Sequence, residues 1–477
     1  MYRSNKGRSE NNDADVVDED GEYSNEEDED DENPVEIAYV ASETPMLSYL
    51  NVHGVLEAKR AQARDSLETI EEEEEEEDDD EDDDDQVNDN KEKNGRSSKR
   101  KRNNNKKGED NKDGDNNDDV DDSNNAYTVK QDKSEGPRVM IVGPSDVGKS
   151  SLSKILINYA SRAGWSPLFV DLDLGQNAIS LPGTIAAAPI EHPLDPFAEG
   201  GFVNSEMPLA YYFGDVTVNQ NSEEHYKFQV EKIADMLDAR NEKNKHARNS
   251  GVIVNTMGWI DGLGFDLLLH ARKALNIDVV ICLGQERLFQ SLSKVMEKEN
   301  QRMKTSQSSS KKMISSQQQQ PHSLKEIEII SLKKSGGVVE RTTEFRRHTR
   351  DDRFREYFYG FDNSLSPTSQ TAYFSSVSFY RVGGGPKAPT SALPIGQEAS
   401  TDSMKVTSVI PSNTLLNSVC AVSHGKTQSD LLTSNVAGFI HIVEVDMIQK
   451  KFTYLSPSGG QLPNTNLIVG NVKWFTD

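Results

Sequence analysis

From residue 136 onward, short continuous apolar runs alternate with stretches whose apolar residues recur at helical spacing. The runs lie at 139–142, 167–172, 251–255, 278–283 and 327–332; the helical stretches lie at 150–162, 226–240, 263–275 and 285–297. A strand that is apolar throughout is buried on both faces. Such strands alternating with amphipathic helices predict an α/β domain whose parallel sheet is covered on both sides, here over 135–363. A Ser/Gln/Lys tract at 298–323, ending in Gln317 to Gln320, interrupts the alternation and reads as a surface insertion. After about residue 363 the pattern changes. Runs at 373–382, 404–410, 436–445 and 451–455 are separated by Gly, Pro, Ser and Asn clusters with no long helix between them. They predict a small, mostly β domain over 364–477.

The N-terminal part is different in kind. Residues 1–35 are polar and acidic, 36–41 (EIAYVA) predicts a single strand, and 45–63 predicts a helix with Pro45 in its first turn. That pair forms a small ordered unit over 36–65. The stretch 66–134 predicts disorder: it contains fifteen consecutive carboxylates from Glu71 to Asp85, which repel one another and cannot build a core.

Charge follows the same division. The net charge of −27 lies entirely in residues 1–134, which hold 45 acidic and 18 basic residues; the remainder holds 35 of each. The acidity is therefore an appendage to a neutral body. Lys99-Arg100-Lys101-Arg102, in the Asn-rich linker, reads either as a nuclear import signal or as counter-charge to the acid run. Cys282 and Cys420 are the two cysteines, and both sit in apolar runs, as buried thiols in a reducing compartment do. No apolar stretch reaches the ~20 residues that span a bilayer, and no secretory signal is evident, so the expectation is a soluble, intracellular protein with no membrane partner.

The chemistry centres on Gly143-Pro144-Ser145-Asp146-Val147-Gly148-Lys149-Ser150, a complete G-x4-G-K-[ST] loop. It follows a predicted strand and opens a predicted helix, the context that such a loop requires. Its backbone N–H groups and the helix N-terminus favour phosphate oxygens. Lys149 is placed to reach the β- and γ-phosphates, and the Ser150 hydroxyl to ligate Mg²⁺, with Ser151 completing the cradle. The implied ligand is a nucleoside triphosphate.

Three further patterns extend this site. Asp171 and Asp173 end the second apolar run, where a metal-holding carboxylate sits in such domains. Leu172 lies between them, and the expectation is that one of them faces the nucleotide directly; Asp173 is preferred, and it is also positioned to take the proton of an attacking hydroxyl. Trp259, in Thr256-Met257-Gly258-Trp259 after the third strand, suits either a core position or a stacking platform for a base. In EFRRHTRDDRFREYF, Arg346, Arg350 and Arg353 share one helical face, which suits either a lid over phosphates or a solvated face paired with Asp351, Asp352 and Glu356. No NKxD guanine-reading motif follows the loop, which argues against a regulatory GTPase.

Taken together, GPSDVGKS, VDLDLGQ, SLPGT, NTMGW, QERL and SGGVVERTTEFRRHTRDDRFREYFYG occur in this order and resemble the polyribonucleotide 5′-hydroxyl kinase family, specifically its eukaryotic branch that is a subunit of the pre-mRNA 3′-end cleavage factor. The resemblance runs from about residue 135 to the end, broken at 298–323, and covers 36–63. It implies an ATP- and Mg²⁺-dependent kinase of RNA 5′-hydroxyl ends in the nucleus. The implied partners are other cleavage-factor subunits and, through tRNA splicing, the splicing endonuclease. Carried over by residue, Lys149 and Ser150 would be the Walker-A lysine and metal ligand, and Asp173 the Walker-B aspartate. Thr256 and Trp259 would belong to a TxGW clasp that meets the RNA end, and Arg346 and Arg350 would be the RxxxR lid. The family carries a larger N-terminal β domain, of which 36–65 would be the remaining strand and helix. The expectation is therefore a trimmed domain or an incomplete gene product, and the competing reading is a non-catalytic, ATP-bound scaffold of the cleavage complex.

Overall fold

The computed structural model describes residues 45–88, 134–194, 208–309, 326–383 and 402–475. The predicted strand at 36–41, the basic cluster at 99–102 and most of the 298–323 tract lie outside them.

Five of the predicted strands form: β1 (Arg138–Val142), β2 (Leu168–Asp171), β5 (Val252–Asn255), β6 (Val279–Leu283) and β7 (Glu328–Leu332). They pair in parallel in the order β2-β5-β1-β6-β7. Alternate side chains leave on opposite faces, and both faces are covered. Met140, Val142, Val170, Val254 and Val280 meet α3 (Glu223–Lys243), α5 (Leu263–Ala274) and α6 (Glu286–Ser309). Val139, Ile141, Phe169, Ile253 and Ile281 meet α2 (Lys149–Arg162) and α1 (Met46–Asn88).

Two strands were not expected. β3 (Thr184–Pro189) and β4 (Leu209–Tyr212) extend the sheet beyond β2, β3 being antiparallel to both neighbours. TIAAAP is rich in alanine, which carries little strand signal by itself, and β4 is only four residues long. The sheet is thus mixed at one edge.

Two boundaries move. The helix expected to end at 63 runs to Asn88, so 66–88 is helical and not a disordered linker. Its first turns are anchored, which supplies the costly nucleus, and glutamate propagates a helix well. Tyr49, Val52 and Leu56 enter the core, the Trp165 indole donates to Glu57 at 2.6 Å, and Arg60 Nε donates to the Ser250 carbonyl at 2.9 Å. Likewise α6 continues to Ser309, past the expected start of the insertion at 298. Glu299 pairs with Arg272, and the Asn300 carboxamide bonds both backbone groups of Ile327. Among the described residues no helix is long and apolar enough to cross a membrane.

The C-terminal part is a seven-stranded sheet. It contains β8 (Thr368–Tyr373), β9 (Ser378–Val382), β10 (Val406–Ser408), β11 (Ser418–Ser423), β12 (Val436–Asp446), β13 (Lys451–Ser456) and β14 (Asn466–Lys473), in the order β10-β9-β14-β11-β12-β13-β8. All neighbours are antiparallel except β9 and β14. The single strand expected at 373–382 is broken by a tight turn at Phe374–Ser376. β11 and β14, which lie side by side in the middle of the sheet, escaped the sequence reading. Both thiols are buried, and burial pushes Cys282 and Cys420 up to about 12.

This sheet is bolted to the α/β domain. Tyr212 of β4 donates its hydroxyl to the Val419 carbonyl at 2.8 Å. Gly214 and Gly470 bring two backbones into contact: a Cβ on Gly470 would lie 2.2 Å from the Gly214 oxygen. The arginine-bearing helix α7 (Thr343–Tyr359) joins the same interface. Its Phe354 and Phe358 are buried among Val419, Phe439 and Trp474, with Phe358 stacked on Trp474 at 5.5 Å. By packing, α7 belongs to the β domain as much as to the 135–363 domain in which the sequence placed it.

Two buried imidazoles make the fold acid-sensitive. His225 stacks on Phe213 at 5.2 Å, and His441 lies 4.8 Å from the Trp474 ring with Nε2 3.0 Å from the Trp474 carbonyl. Burial lowers each to about 4. The unfolded chain, titrating near ~6.5, binds more protons than the native chain below that pH. This contribution is therefore complete above pH ~6.5 and disappears as pH falls through about 4. The melting temperature of the parent is expected to fall between pH 7 and 4.5 more steeply than that of His441→Gln; equal slopes would remove His441 from the account.

Candidate nucleotide and acceptor site

The phosphate-binding loop runs from the end of β1 into α2. Gly143 has φ 155°, and a Cβ there would lie 2.5 Å from the Leu283 carbonyl. Gly148, with φ 95°, caps α2 from the left-handed region. Both turns demand glycine. Val147 packs into the core and pins the loop, so only its backbone can reach a ligand; Ser145 and Ser151 are exposed, and Pro144 is half-buried. Lys149 is buried, and its Nζ donates across the loop to the Pro144 carbonyl at 2.8 Å. Burial lowers its pKa, against the opposing pull of Asp173, then Asp146 and Asp171.

Asp171 and Asp173 part because β2 ends at Asp171; on a continuing strand residues two apart would share a face. Asp171 is wholly buried and turned toward the protein. Its oxygens accept from the Asp173 N–H at 3.0 Å, the Ala178 N–H at 2.8 Å and Asn255 Nδ2 at 3.0 Å. Burial, then the neighbouring Asp173, pushes it up to about 7. Asp173 accepts from the Gly175 N–H at 2.9 Å. Burial raises it too, but there Gly175, Lys149, Gln176 and Arg346 all oppose the shift. Asp173 is thus the carboxylate that shares its surroundings with Lys149 and Arg346.

The clasp divides into one buried and one exposed residue. Trp259 is 41% exposed, as a stacking platform must be. Thr256, expected at the RNA end, is instead buried and donates its hydroxyl to the Ile141 carbonyl at 2.8 Å. It joins β5 to β1, and its side chain does not reach the surface. Gly258 lies directly against the phosphate loop: a Cβ there would sit 2.3 Å from Ser145 Oγ and 2.7 Å from Ser145 N. Gly258→Ala must therefore displace the loop backbone, and misplacement on that scale is worth about tenfold or more. Nucleotide affinity measured by fluorescence titration is expected to fall by that amount in a protein that still folds; unchanged affinity would mean the loop yields freely.

The arginines of α7 have distinct surroundings. Thr342 caps the helix by accepting from the Phe345 N–H at 3.1 Å. Arg346 forms an ion pair with Asp146 in the loop at 2.5 Å, the Arg341 N–H also reaches Asp146 at 3.2 Å, and Gln176 donates to the Arg346 carbonyl at 3.2 Å. The start of the lid is thereby latched to the loop. Arg353 pairs with Glu356 at 2.9 Å. Arg350, half-buried, forms no ion pair or hydrogen bond among the described residues. Arg347 and Arg355 are exposed. The solvated-face reading fits those two; it does not fit Arg346.

These residues suit a nucleotide with magnesium. The glycine cradle leaves no room for side chains at Gly143, and the lysine and arginine converge beside it. Among the described residues no cluster of three or more His, Cys, Asp or Glu could hold a metal alone. Magnesium does not require one: it is commonly held by one or two protein oxygens plus phosphate oxygens and waters. Ser150 and Asp173 offer that set. Sequence reasoning missed Asn255, whose Nδ2 lies 3.3 Å from Ser150 Oγ, and Gln176. The available signal for Asn255 was its place at a strand end opposite Asp171.

Comparison with known proteins identifies the family to which these domains belong. Residues 143–322 and 310–360 match the P-loop domain of the mRNA cleavage and polyadenylation factor CLP1, 365–476 match the pre-mRNA cleavage complex II protein Clp1, and 24–63 match the N-terminal β-sandwich domain of a polyadenylation factor. The chain is 38% identical to a protein CLP1 homolog of Arabidopsis thaliana, over 92% of this chain and 79% of that protein. It is 34% identical to the human polyribonucleotide 5′-hydroxyl-kinase Clp1, over 92% of this chain and 81% of that one. A solved complex of Clp1p with Pcf11p shares the fold, with TM-score 0.58 and 23% identity over 72% of this chain and 76% of that one. Matched by these family models over most of its length and by relatives 34–38% identical over 92% of it, the chain belongs to the Clp1 family.

Proposed function

We propose that this protein transfers the γ-phosphoryl group of ATP to the 5′-hydroxyl of an RNA end, as a nuclear subunit of the machinery that cleaves mRNA 3′ ends. The observation that carries this reading is the Arg346–Asp146 latch, which sets the lid helix over the phosphate loop beside Lys149 and Asp173. A scaffold that merely retains ATP has no need of a lid arginine latched to the phosphate loop. The relatives named as polyribonucleotide 5′-hydroxyl kinases support the same chemistry.

In this reading Lys149 draws charge from the β- and γ-phosphates, and bound magnesium would neutralise the remainder from Ser150 and Asp173. The RNA oxygen forms a bond to the γ-phosphorus as the bond to ADP breaks, and the hydroxyl proton passes to the Asp173 carboxylate. Arg346 and Arg350 stabilise charge on the group in flight, and Trp259 stacks the terminal base. The basic cluster at 99–102 supports nuclear import. The partners would be other cleavage-factor subunits, with the tRNA splicing endonuclease as a second source of RNA ends.

The test is direct. Purified protein, γ-labelled ATP and a short 5′-hydroxyl RNA should give labelled RNA, while the same RNA carrying a 5′-phosphate stays unlabelled. Tight ATP binding with no label on either RNA would overturn the kinase reading and leave the scaffold.

A further inference from the structure

Asn255 ends β5, in register with Asp171 on one side and Ile141 on the other. Its side chain is almost wholly buried. Nδ2 donates to Asp171 Oδ1 at 3.0 Å and lies 3.3 Å from Ser150 Oγ, so one carboxamide spans a strand-end carboxylate and the first turn of α2. Asp171 fixes the direction of the amide. Its oxygens already accept from the Asp173 and Ala178 backbone N–H groups, and in its ionised form it has no proton to offer a carbonyl. Asn255 Oδ1 is consequently turned away, buried and without a hydrogen-bond partner among the described residues. Buried acceptors of that kind are rare and call for an explanation.

The assignment of Ser150 as a metal ligand, on which this inference rests, supplies one. A hydroxyl that binds a cation through a lone pair must direct its proton elsewhere, and the group beside it decides where. Residues that orient a ligand without touching the metal change metal affinity by about 10- to 100-fold when lost. We propose that Asn255 is a positioning residue for magnesium: it locks Ser150 and Asp171 against each other, so that Ser150 presents a lone pair to the cation while Asp171 stays turned inward. Its Oδ1, unpaired among the described residues, is then the acceptor left for a proton that arrives only when the site fills. Asn255 itself touches neither nucleotide nor metal.

The experiment uses the full chain and a fluorescent ATP analogue, titrated with Mg²⁺ and, separately, in EDTA. Asn255→Ala is expected to bind the analogue in EDTA within about twofold of the parent, yet to need about tenfold more Mg²⁺ for half of the metal-dependent gain. Asn255→Ser, too short to span both partners but leaving a smaller void, should behave alike and decides the matter if the alanine variant does not fold. In a Ser150→Ala background, Asn255→Ser should add no further shift, because it acts through Ser150. An unchanged Mg²⁺ requirement, equal weakening in EDTA and Mg²⁺, or additive effects would each overturn the proposal. The assay contains no RNA, so absence of phosphoryl transfer would leave the result standing.

Discussion

Replacing Lys149 with alanine is expected to lower phosphoryl transfer by on the order of 1,000-fold, the upper range for losing one donor aimed at developing charge. The lysine is held for this role. Its ammonium crosses the loop to the Pro144 carbonyl and lies in the field of Asp173, Asp146 and Asp171. Its burial weakens competing hydration, so its charge acts at close range on whatever phosphate enters the loop. The fold does not depend on it: Val147 pins the loop into the core, and Gly143 and Gly148 set its turns. Circular dichroism and melting temperature should therefore match the parent while label transfer from γ-labelled ATP to 5′-hydroxyl RNA vanishes. Transfer surviving within tenfold of the parent would remove the phosphate loop from the mechanism.

Arg350 and Arg346 should fail in different ways when replaced. Arg350 forms no hydrogen bond or ion pair among the described residues, so its loss breaks neither in the free protein. Arg350→Ala is expected to lower turnover about 100-fold while ATP affinity stays within a few-fold, the pattern of a group that acts mainly in the transition state. Arg346 is latched to Asp146, so Arg346→Ala also releases the lid from the loop and should weaken nucleotide binding together with turnover. Single-turnover rates and nucleotide titrations separate the two cases. Equal losses of affinity and rate in Arg350→Ala would make it a ground-state clamp. An unchanged rate would return it to a solvated face.

The anchoring of the lid bears on both results. Phe354 and Phe358 bury the second half of α7 in the β domain, and Tyr212 and the Gly214–Gly470 contact tie that domain to the α/β sheet. The arginines are therefore carried on a helix held at both ends, which favours preorganised donors over a wide swing.

Much of the site was legible in the chain because it depends on local geometry. A glycine pattern between a strand and a helix forces the loop turns whatever else surrounds them, which is why Gly143 to Ser151 could be placed. Helical spacing put Arg346 and Arg350 on one face. The five parallel strands were readable because burial on both faces leaves a continuous apolar run.

Tertiary structure decided the rest, wherever a residue's role depends on partners distant in sequence. TIAAAP becomes a strand because β2 offers it an edge, not through any preference of alanine. The acid run is helical up to Asn88 because the helix before it is anchored on α2 and on the short helix α4 (Lys245–Ser250). Thr256 and Trp259, three residues apart, differ in that one hydroxyl finds the Ile141 carbonyl and the indole finds solvent. Nothing in the sequence connects Asn255 to Ser150, 105 residues earlier, or Arg346 to Asp146, 200 residues earlier. The sequence alone determined which residue types stand at a phosphate-binding turn, because backbone sterics are local. Which of them meet, and which are buried, was settled only when the sheet brought its strand ends together and the β domain set the lid in place.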